Sequence, residues 1–341
     1  MYINWLNRKD IDFQEVEDLL QTSKDRNHYT NYGPLVTKLE GYFREILGVE
    51  DNKACILTGN GSAALHAIGH GMNRKSERKL KWSTQSYTFP SSVQGPFTGS
   101  QIVDIDAKDF SLDLDLVKDK VDGIIVTNLF GLNVDIDKYE RWAKERGKLL
   151  IFDSATVPMT KYKGRNSINC GNASFISLHH TKPLGFGEGG LIICDKVFEE
   201  DIRKALNFGF DMGIWHSEAS NLRMSDVSAA FIFQHIKRNF DEYVSHHQKL
   251  YSLFLKLLKK YNLKTIPNYG DLDSTFVNCF TVVFDKPVNI PQYCTAEIKK
   301  YYVPLKSTKN AKDLYKRILC IPCHNELDEL TLTKIIKEIQ K

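Results

Sequence analysis
Residues 173–195 read ASFISLHHTKPLGFGEGGLIICD, and they restrict the fold more than any other stretch of the chain. Residues 173–178 alternate small and apolar side chains as a strand does, and 191–194 form a second apolar run short enough for a buried strand. Between them lies a glycine-rich turn, 179–190, holding a single lysine, Lys182. A lysine held between two buried strands is either an ion-paired structural residue or a nucleophile, since perturbed lysines gather at functional sites and structural pairs also occur. Residues 185–190 satisfy the spacing G-x-G-x-x-G, but a dinucleotide fingerprint needs a helix to follow it. The strand-like LIIC follows instead, which excludes a nicotinamide site.

Strand-like and helical runs alternate through the preceding part of the chain. Strands are expected at 54–57, 101–105, 123–127 and 148–152, and helices at 63–68 and 137–146, the second stopped by Gly147. Two amphipathic helices, 11–20 and 36–47, come before them, the latter closed by Gly48. This order predicts an α/β domain with a mostly parallel sheet covered on both faces and ligands at the carboxyl ends of its strands. Asp104, Asp106, Asn128, Asp153 and the loop from Ser177 to Lys182 fall near such ends. After about residue 240 the texture changes. An amphipathic stretch at 243–261, a strand at 277–284, a helix near 295–301 and a closing helix at 331–340 predict a smaller α+β unit. The expected division is 1–240 for an N-terminal segment with the large domain and 241–341 for the small domain.

Composition narrows the partners. The 341 residues include 46 basic and 42 acidic side chains, a net charge of +4 that is too balanced for nucleic acid or an anionic membrane. No run approaches the ~18 apolar residues of a membrane span. The N-terminal MYINWLNRKDID lacks the apolar core of a signal peptide. Seven scattered cysteines suit a reducing compartment, so a cytoplasmic location is expected.

TGNGS at 58–62 joins a strand to a helix. It is either an anion cradle, with Gly61 allowing close approach and Ser62 offering a hydroxyl, or a tight turn with Ser62 as N-cap. CIPCH at 320–324 matches a haem-attachment spacing, but attachment needs export, so a turn carrying two buried thiols is expected. His66 and His70 share a helix face without a third ligand and read as ordinary helix residues, so no metal is expected. Asp153 ends an apolar strand, where a carboxylate either caps the next segment or pairs with a cation. A lysine, an aspartate at a strand end and a glycine-serine cradle are the three groups that pyridoxal 5'-phosphate (PLP) requires.

These residues resemble the DegT/StrS group of sugar-nucleotide aminotransferases, and the resemblance runs over nearly the whole chain. It is carried by NYGP at 31–34, GSAAL at 61–65, YTF at 87–89 and Asp153-Ser154-Ala155. SLHHTK at 177–182 with GEGG at 187–190, NLRMSD at 221–226 and IPCH at 321–324 complete it. The resemblance implies an α/β fold of PLP type I, with a mostly parallel seven-stranded sheet between helices and a smaller C-terminal α+β domain. It implies Lys182 and Asp153 as catalytic residues. Lys182 would carry the cofactor as a Schiff base and then shuttle the proton to the substrate carbon, while Asp153 would pair with the pyridine nitrogen. Phe89 would stack on the ring, Gly61, Ser62, Ala63 and Ser177 would hold the phosphate, and Thr156 would stand near the phenolic oxygen, where Gln or His is usual. Asn221 would reach the phosphate of the other subunit, implying a homodimer with shared active sites. Tyr29, Asn31, Tyr32, His179, Glu188 and Lys306 would face the substrate, with Asn31 standing for a usual Thr and Lys306 for a common His.

The implied reaction moves an amino group from L-glutamate to a nucleoside-diphosphate-linked keto-6-deoxyhexose, the cofactor cycling between PLP and pyridoxamine phosphate (PMP). A TDP- or UDP-linked 4-keto-6-deoxyglucose giving a viosamine-type sugar is the expected substrate, with a 3-keto sugar as the alternative. PMP-dependent dehydratases of the same group carry His in place of the lysine. A non-catalytic relative would lose Lys182, Asp153 or the cradle; all three stand here.

Overall fold
The computed structural model describes residues 2–340. Its strands are β1 (Lys53–Thr58), β2 (Trp82–Gln85), β3 (Gln101–Val103), β4 (Gly123–Thr127), β5 (Leu149–Asp153), β6 (Lys161–Tyr162), β7 (Arg165–Asn166), β8 (Ala173–Ser177), β9 (Gly190–Asp195), β10 (Cys279–Val283) and β11 (Ile318–Pro322). Seven of them form one sheet in the order β1-β9-β8-β5-β4-β2-β3. All neighbours run parallel except β9, which is antiparallel to β1 and to β8. The sheet is thus the expected α/β type, and its one reversed strand follows from the hairpin that carries Lys182.

Helices α1 (Phe13–Asp25), α2 (Pro34–Ile46), α3 (Gly61–Lys75), α4 (Ile136–Arg146), α5 (Glu199–Leu206) and α6 (Asp226–Lys260) surround the sheet, and α7 (Lys309–Arg317) and α8 (Glu329–Glu338) follow. Strands β4, β5 and β9 are near-continuous apolar runs because both faces of the sheet are covered. In β1, Cys55 and Leu57 enter a core with α1, α2 and α6, while Ala54 and Ile56 enter a second core with α3 and α5. Leu191 and Ile193 of β9 join the first core, and Ile192 and Cys194 the second. Each such Leu or Ile stabilises the fold by about 2 kcal/mol through removal from water. Among the described residues no helix is long and apolar enough to cross a membrane.

The helices expected at 11–20, 36–47, 137–146 and 331–340 lie within five residues of α1, α2, α4 and α8. The one expected at 63–68 runs on to Lys75, whereas the one expected at 243–261 begins already at Asp226. Helix α4 ends on Gly147 in the left-handed region (φ 59°). The segment expected as a helix near 295–301 is extended instead. Ile3 N donates to Thr295 O and Glu297 N to Ile3 O, while Lys299 and Cys320 exchange both backbone hydrogen bonds. Backbone groups engaged on two sides in this way cannot also close helical turns. Cys320 lies within β11, paired with β10, and not in a turn. The 35-residue α6 passes through position 240 unbroken; its first part packs with α1 and α2 and its last part with α8.

The carboxylate of Asp226, at the start of α6, is fully buried and accepts from Ser23 Oγ (2.6 Å), Leu35 N (3.1 Å) and Val36 N (2.9 Å). It thereby satisfies two orphan donors at the start of α2, whose own N-cap, Gly33, has no side chain. The motifs at 29–34 and 221–226 are brought together by this clamp. Asp226→Ala is expected to cost about 3 kcal/mol, because two N–H groups and a hydroxyl lose their acceptor in the core. Urea unfolding of parent and variant measures the difference, and an unchanged midpoint would remove the clamp from the account.

Candidate active site
Lys182 sits in the β8–β9 connection, and the register there sets what it faces. Gly190 stands opposite Thr58 of β1 on one side and Ser177 of β8 on the other. A Cβ on Gly190 would lie 2.3 Å from the carbonyl oxygen of Asn60, so only glycine lets the β1–α3 turn close against the hairpin. That turn opens α3. Asn60, and not Ser62, is the N-cap, its Oδ1 accepting from Ala63 N at 2.8 Å. Among the described residues the N–H groups of Gly61 and Ser62 have no acceptor. They form the positive end of a helix aimed at the cavity, an arrangement made for an anion.

Further across the sheet, Thr127 and Asp153 stand side by side at the ends of β4 and β5, and Phe175 in the middle of β8 is the next partner of Asp153. Asp153 is buried, with Ala155 N donating to its Oδ1 at 3.1 Å. Burial raises its carboxyl to about 6, against the opposing effects of the Ala155 N–H, the Lys182 charge and the Thr127 hydroxyl. The Lys182 ammonium is itself shifted downward by burial, and among the described residues its Nζ makes no hydrogen bond or ion pair. A lowered ammonium makes more of the nucleophilic free amine available near neutral pH.

Asn60, Gly61, Ser62, Phe89, Asp153, Thr156, Ser177, His179, Lys182 and Glu188 all line one cavity of about 590 Å³. Phe89 is 52% exposed, its ring free to cover a flat ligand. His179 faces Thr181 through Nδ1 (2.9 Å) and Glu188 through Nε2 (3.5 Å). The other expected residues lie elsewhere. Ala63 gives its N–H to the cap. Tyr29 accepts from Asp226 N through its carbonyl, and Asn31 accepts from Arg223. Tyr32 donates its hydroxyl to Arg203 O (2.9 Å), Asn221 is exposed with Oδ1 held by Arg223, and Lys306 is exposed. Asp104 receives Thr308 Oγ1 and the N–H groups of Asn310 and Ala311 at the start of α7, so its work is structural. His66 reaches Ser91 O and His70 pairs with Glu218.

Several lining residues escape a reading of the sequence. Trp5 and Leu6 come from the N-terminal segment, and Asn278, Cys279, Lys299, Tyr301 and Tyr302 from the C-terminal part. Tyrosine and lysine are common there in the sequence, and only the two bridges of the 295–301 segment turn these residues toward the cavity. Asn278 Oδ1 is buried with no partner among the described residues, an acceptor waiting for a donor. Burial raises the Cys279 thiol well above its ordinary range, which keeps it protonated beside Lys182 and out of competition as a nucleophile.

A ligand that satisfies this cavity must bring a cation to Asp153 and an anion to α3, and must react with an amine at Lys182. PLP has a basic ring nitrogen, a phosphate and an aldehyde, and the residues present fit all three. The fold and site are those of a PLP enzyme of fold type I. Residues 9–289 match the DegT/DnrJ/EryC1/StrS aminotransferase family, and the chain belongs to that family. It is 23% identical over 382 residues to the UDP-4-amino-4,6-dideoxy-N-acetyl-β-L-altrosamine transaminase of Campylobacter jejuni subsp. jejuni serotype O:23/36 (strain 81-176), covering 98% of both chains. Against the dTDP-4-amino-4,6-dideoxy-D-glucose transaminase of Shigella dysenteriae it is 24% identical over 359 residues, covering 96% of this chain and 95% of that one. Its fold matches that of DesI determined with its TDP-sugar product, at a TM-score of 0.80 and 21% identity over 97% of this chain and 90% of that one. PseC of Helicobacter pylori matches at 0.81 and 16%, over 100% and 98%.

Asp153 gives a test of the electrostatics. Its folded value of about 6 lies above the ordinary 3.8, so between these values the folded chain keeps a proton that the unfolded chain has lost. The stability it contributes is therefore full below 3.8 and is lost as pH rises through 6, an effect of about 3 kcal/mol. In cofactor-free protein, Asp153→Asn is expected to be more stable than the parent at pH 8, the gap closing toward pH 4, while PLP binds more weakly. Urea unfolding across that range measures it; a gap independent of pH would overturn the burial argument.

Proposed function
We propose that this enzyme transfers the amino group of L-glutamate to the keto carbon of a nucleoside-diphosphate-linked 4-keto-6-deoxyhexose, of the TDP- or UDP-4-keto-6-deoxyglucose type. The observation that carries the reading is Lys182, whose unpaired Nζ shares a cavity with buried Asp153 and the open start of α3. The names of two relatives matched over nearly their whole length support the sugar, since both contain a UDP- or dTDP-linked 4-amino-4,6-dideoxy sugar.

The residues take these parts. PLP, when bound, would supply an electron-withdrawing ring and an aldehyde able to take up an amino group and release it again. Asp153 keeps a positive charge on the ring nitrogen, which lifts the desolvation of its own carboxylate. The N–H groups of Gly61 and Ser62, with the Ser62 and Ser177 hydroxyls, hold the phosphate, and Phe89 covers the ring face. Thr156 offers its hydroxyl nearby. Lys182 Nζ holds the cofactor between turnovers and moves the proton at the reacting carbon. Glutamate leaves as 2-oxoglutarate, and the keto carbon gains the amino group, so kinetics are ping-pong.

The working unit of this reading is a homodimer with shared sites, in the cytoplasm. Seven free cysteines suit the compartment. Asn221 lies beside an exposed apolar group formed by Phe208, Phe210, Met212, Ile214 and Trp215, an apolar surface suited to a second copy. Asn221, Asn31 and Tyr29, outside this chain's own cavity, then belong to the partner's site.

Visible spectra taken with PLP before and after excess glutamate test the first half-reaction. A band that bleaches with glutamate, and returns with the 4-keto sugar nucleotide, is the expected result. Return only with a 3-keto sugar would move the amination to that carbon, and no bleaching would remove glutamate as donor. Lys182→Ala is expected to lose at least about 10³-fold in turnover. Lys182→Ala and Asn221→Ala chains mixed in one preparation are expected to recover part of the activity that neither has alone. Failure to recover any would place Asn221 in its own chain's business.

A further inference from the structure
Three carbonyls of the Lys182 loop converge on one side-chain nitrogen, that of Lys9, which does not itself line the cavity. Lys9 Nζ donates to the carbonyls of His180 (2.8 Å), Lys182 (2.6 Å) and Gly185. Two successive turns bring these oxygens together. Lys182 N bonds His179 O at 2.8 Å, and Gly185 N bonds Lys182 O at 3.0 Å. Gly185 packs so tightly on the loop's start that a Cβ there would lie 2.1 Å from His179 O. From α6, His235 Nε2 adds a hydrogen bond to Pro183 O at 3.1 Å.

Three acceptors around one nitrogen need three N–H donors, and only the charged ammonium has them. Burial pulls Lys9 down to about 7, while hydrogen bonds to the charged form act in the opposite sense. Carbonyl dipoles that converge on one point repel each other unless a cation stands there. Lys9 itself is well anchored. In the segment that carries it, Trp5 N donates to Glu297 Oε2 (2.8 Å), His324 Nε2 to Asn4 O (2.9 Å) and Arg8 N to Glu326 Oε1 (2.8 Å).

We propose that Lys9 is a positioning residue, a tethered cation that closes a three-carbonyl nest behind Lys182 and fixes the backbone from which the Lys182 side chain enters the cavity. It touches neither cofactor nor substrate, and it rests on the reading that Lys182 holds PLP. A ring of main-chain carbonyls is also the ligand chemistry of a potassium ion. A nest emptied of its lysine side chain therefore becomes a potassium site, whereas one still filled by an uncharged side chain does not.

The test titrates the full-length protein with PLP and reads the visible band of lysine-linked cofactor. Titrations run in potassium chloride and in tetramethylammonium chloride at equal ionic strength. Lys9→Ala and Lys9→Met are each expected to bind about tenfold more weakly than the parent in tetramethylammonium. Potassium is expected to bring Lys9→Ala to within about threefold of the parent while leaving Lys9→Met and the parent unchanged. A purely structural lysine would lower thermal midpoints without this selective recovery. Parent-like binding by Lys9→Met, or a loss in Lys9→Ala that potassium does not reverse, overturns the proposal. Lys9→Met keeps the packing of the stem and carries the test alone if Lys9→Ala does not fold. Parent protein and Lys182→Ala run alongside. A parent without the band, or a Lys182→Ala that keeps it, overturns the role of Lys182 instead.

Discussion

The carboxylate of Asp153 is charged where charge is disfavoured, and the design of the site follows from that. A buried aspartate with one backbone hydrogen bond is stable only beside a cation or in its protonated form. Lys182 is too loosely coupled to neutralise it, having itself lost affinity for its proton through burial. Two groups of opposite charge thus stand near each other without pairing, each shifted toward neutrality. A ligand with a basic ring nitrogen relieves the first, and its carbonyl engages the second.

Much of this was legible in the sequence because it resides in local patterns. The 173–195 hairpin announces itself by two apolar runs around a glycine-rich turn, and β4 and α4 follow from continuous apolar residues and a Gly147 stop. The cradle was legible as a strand-to-helix turn, though its cap is Asn60 and not Ser62. β2 was not legible. Its residues WSTQ are mostly polar, yet all are buried, because Gln85 Oε1 accepts from Thr127 N and its Nε2 donates to Tyr87 O. A side chain that completes the hydrogen bonding of a strand end leaves no apolar period to read.

Long-range pairing hid the rest. The 295–301 segment has the composition of a helix, but its backbone is engaged by Ile3 on one side and Cys320 on the other. Trp5 and Leu6 line the cavity only because the N-terminal segment bonds to residues some 290 to 320 positions away. Nothing in a stretch of twelve residues encodes such partners. The motif at 29–34 shows the converse. Its pattern stands out in the sequence, and within one chain the structure explains it through the Asp226 clamp.

The antiparallel seat of β9 also bears on how the chain reaches its working form. β1 and β9 pair residues 53–58 with 190–195, so the proposed cradle at the β1–α3 turn and the lysine hairpin meet only after a loop of roughly 130 residues has closed. The same strand order places four parallel pairings between β8 and the far edge, and such pairings form slowly because each needs a crossover. A partly folded chain can hold Lys182 or the cradle, but not both in register. A ligand that needs both therefore finds its site only in a chain whose β1–β9 pairing is complete.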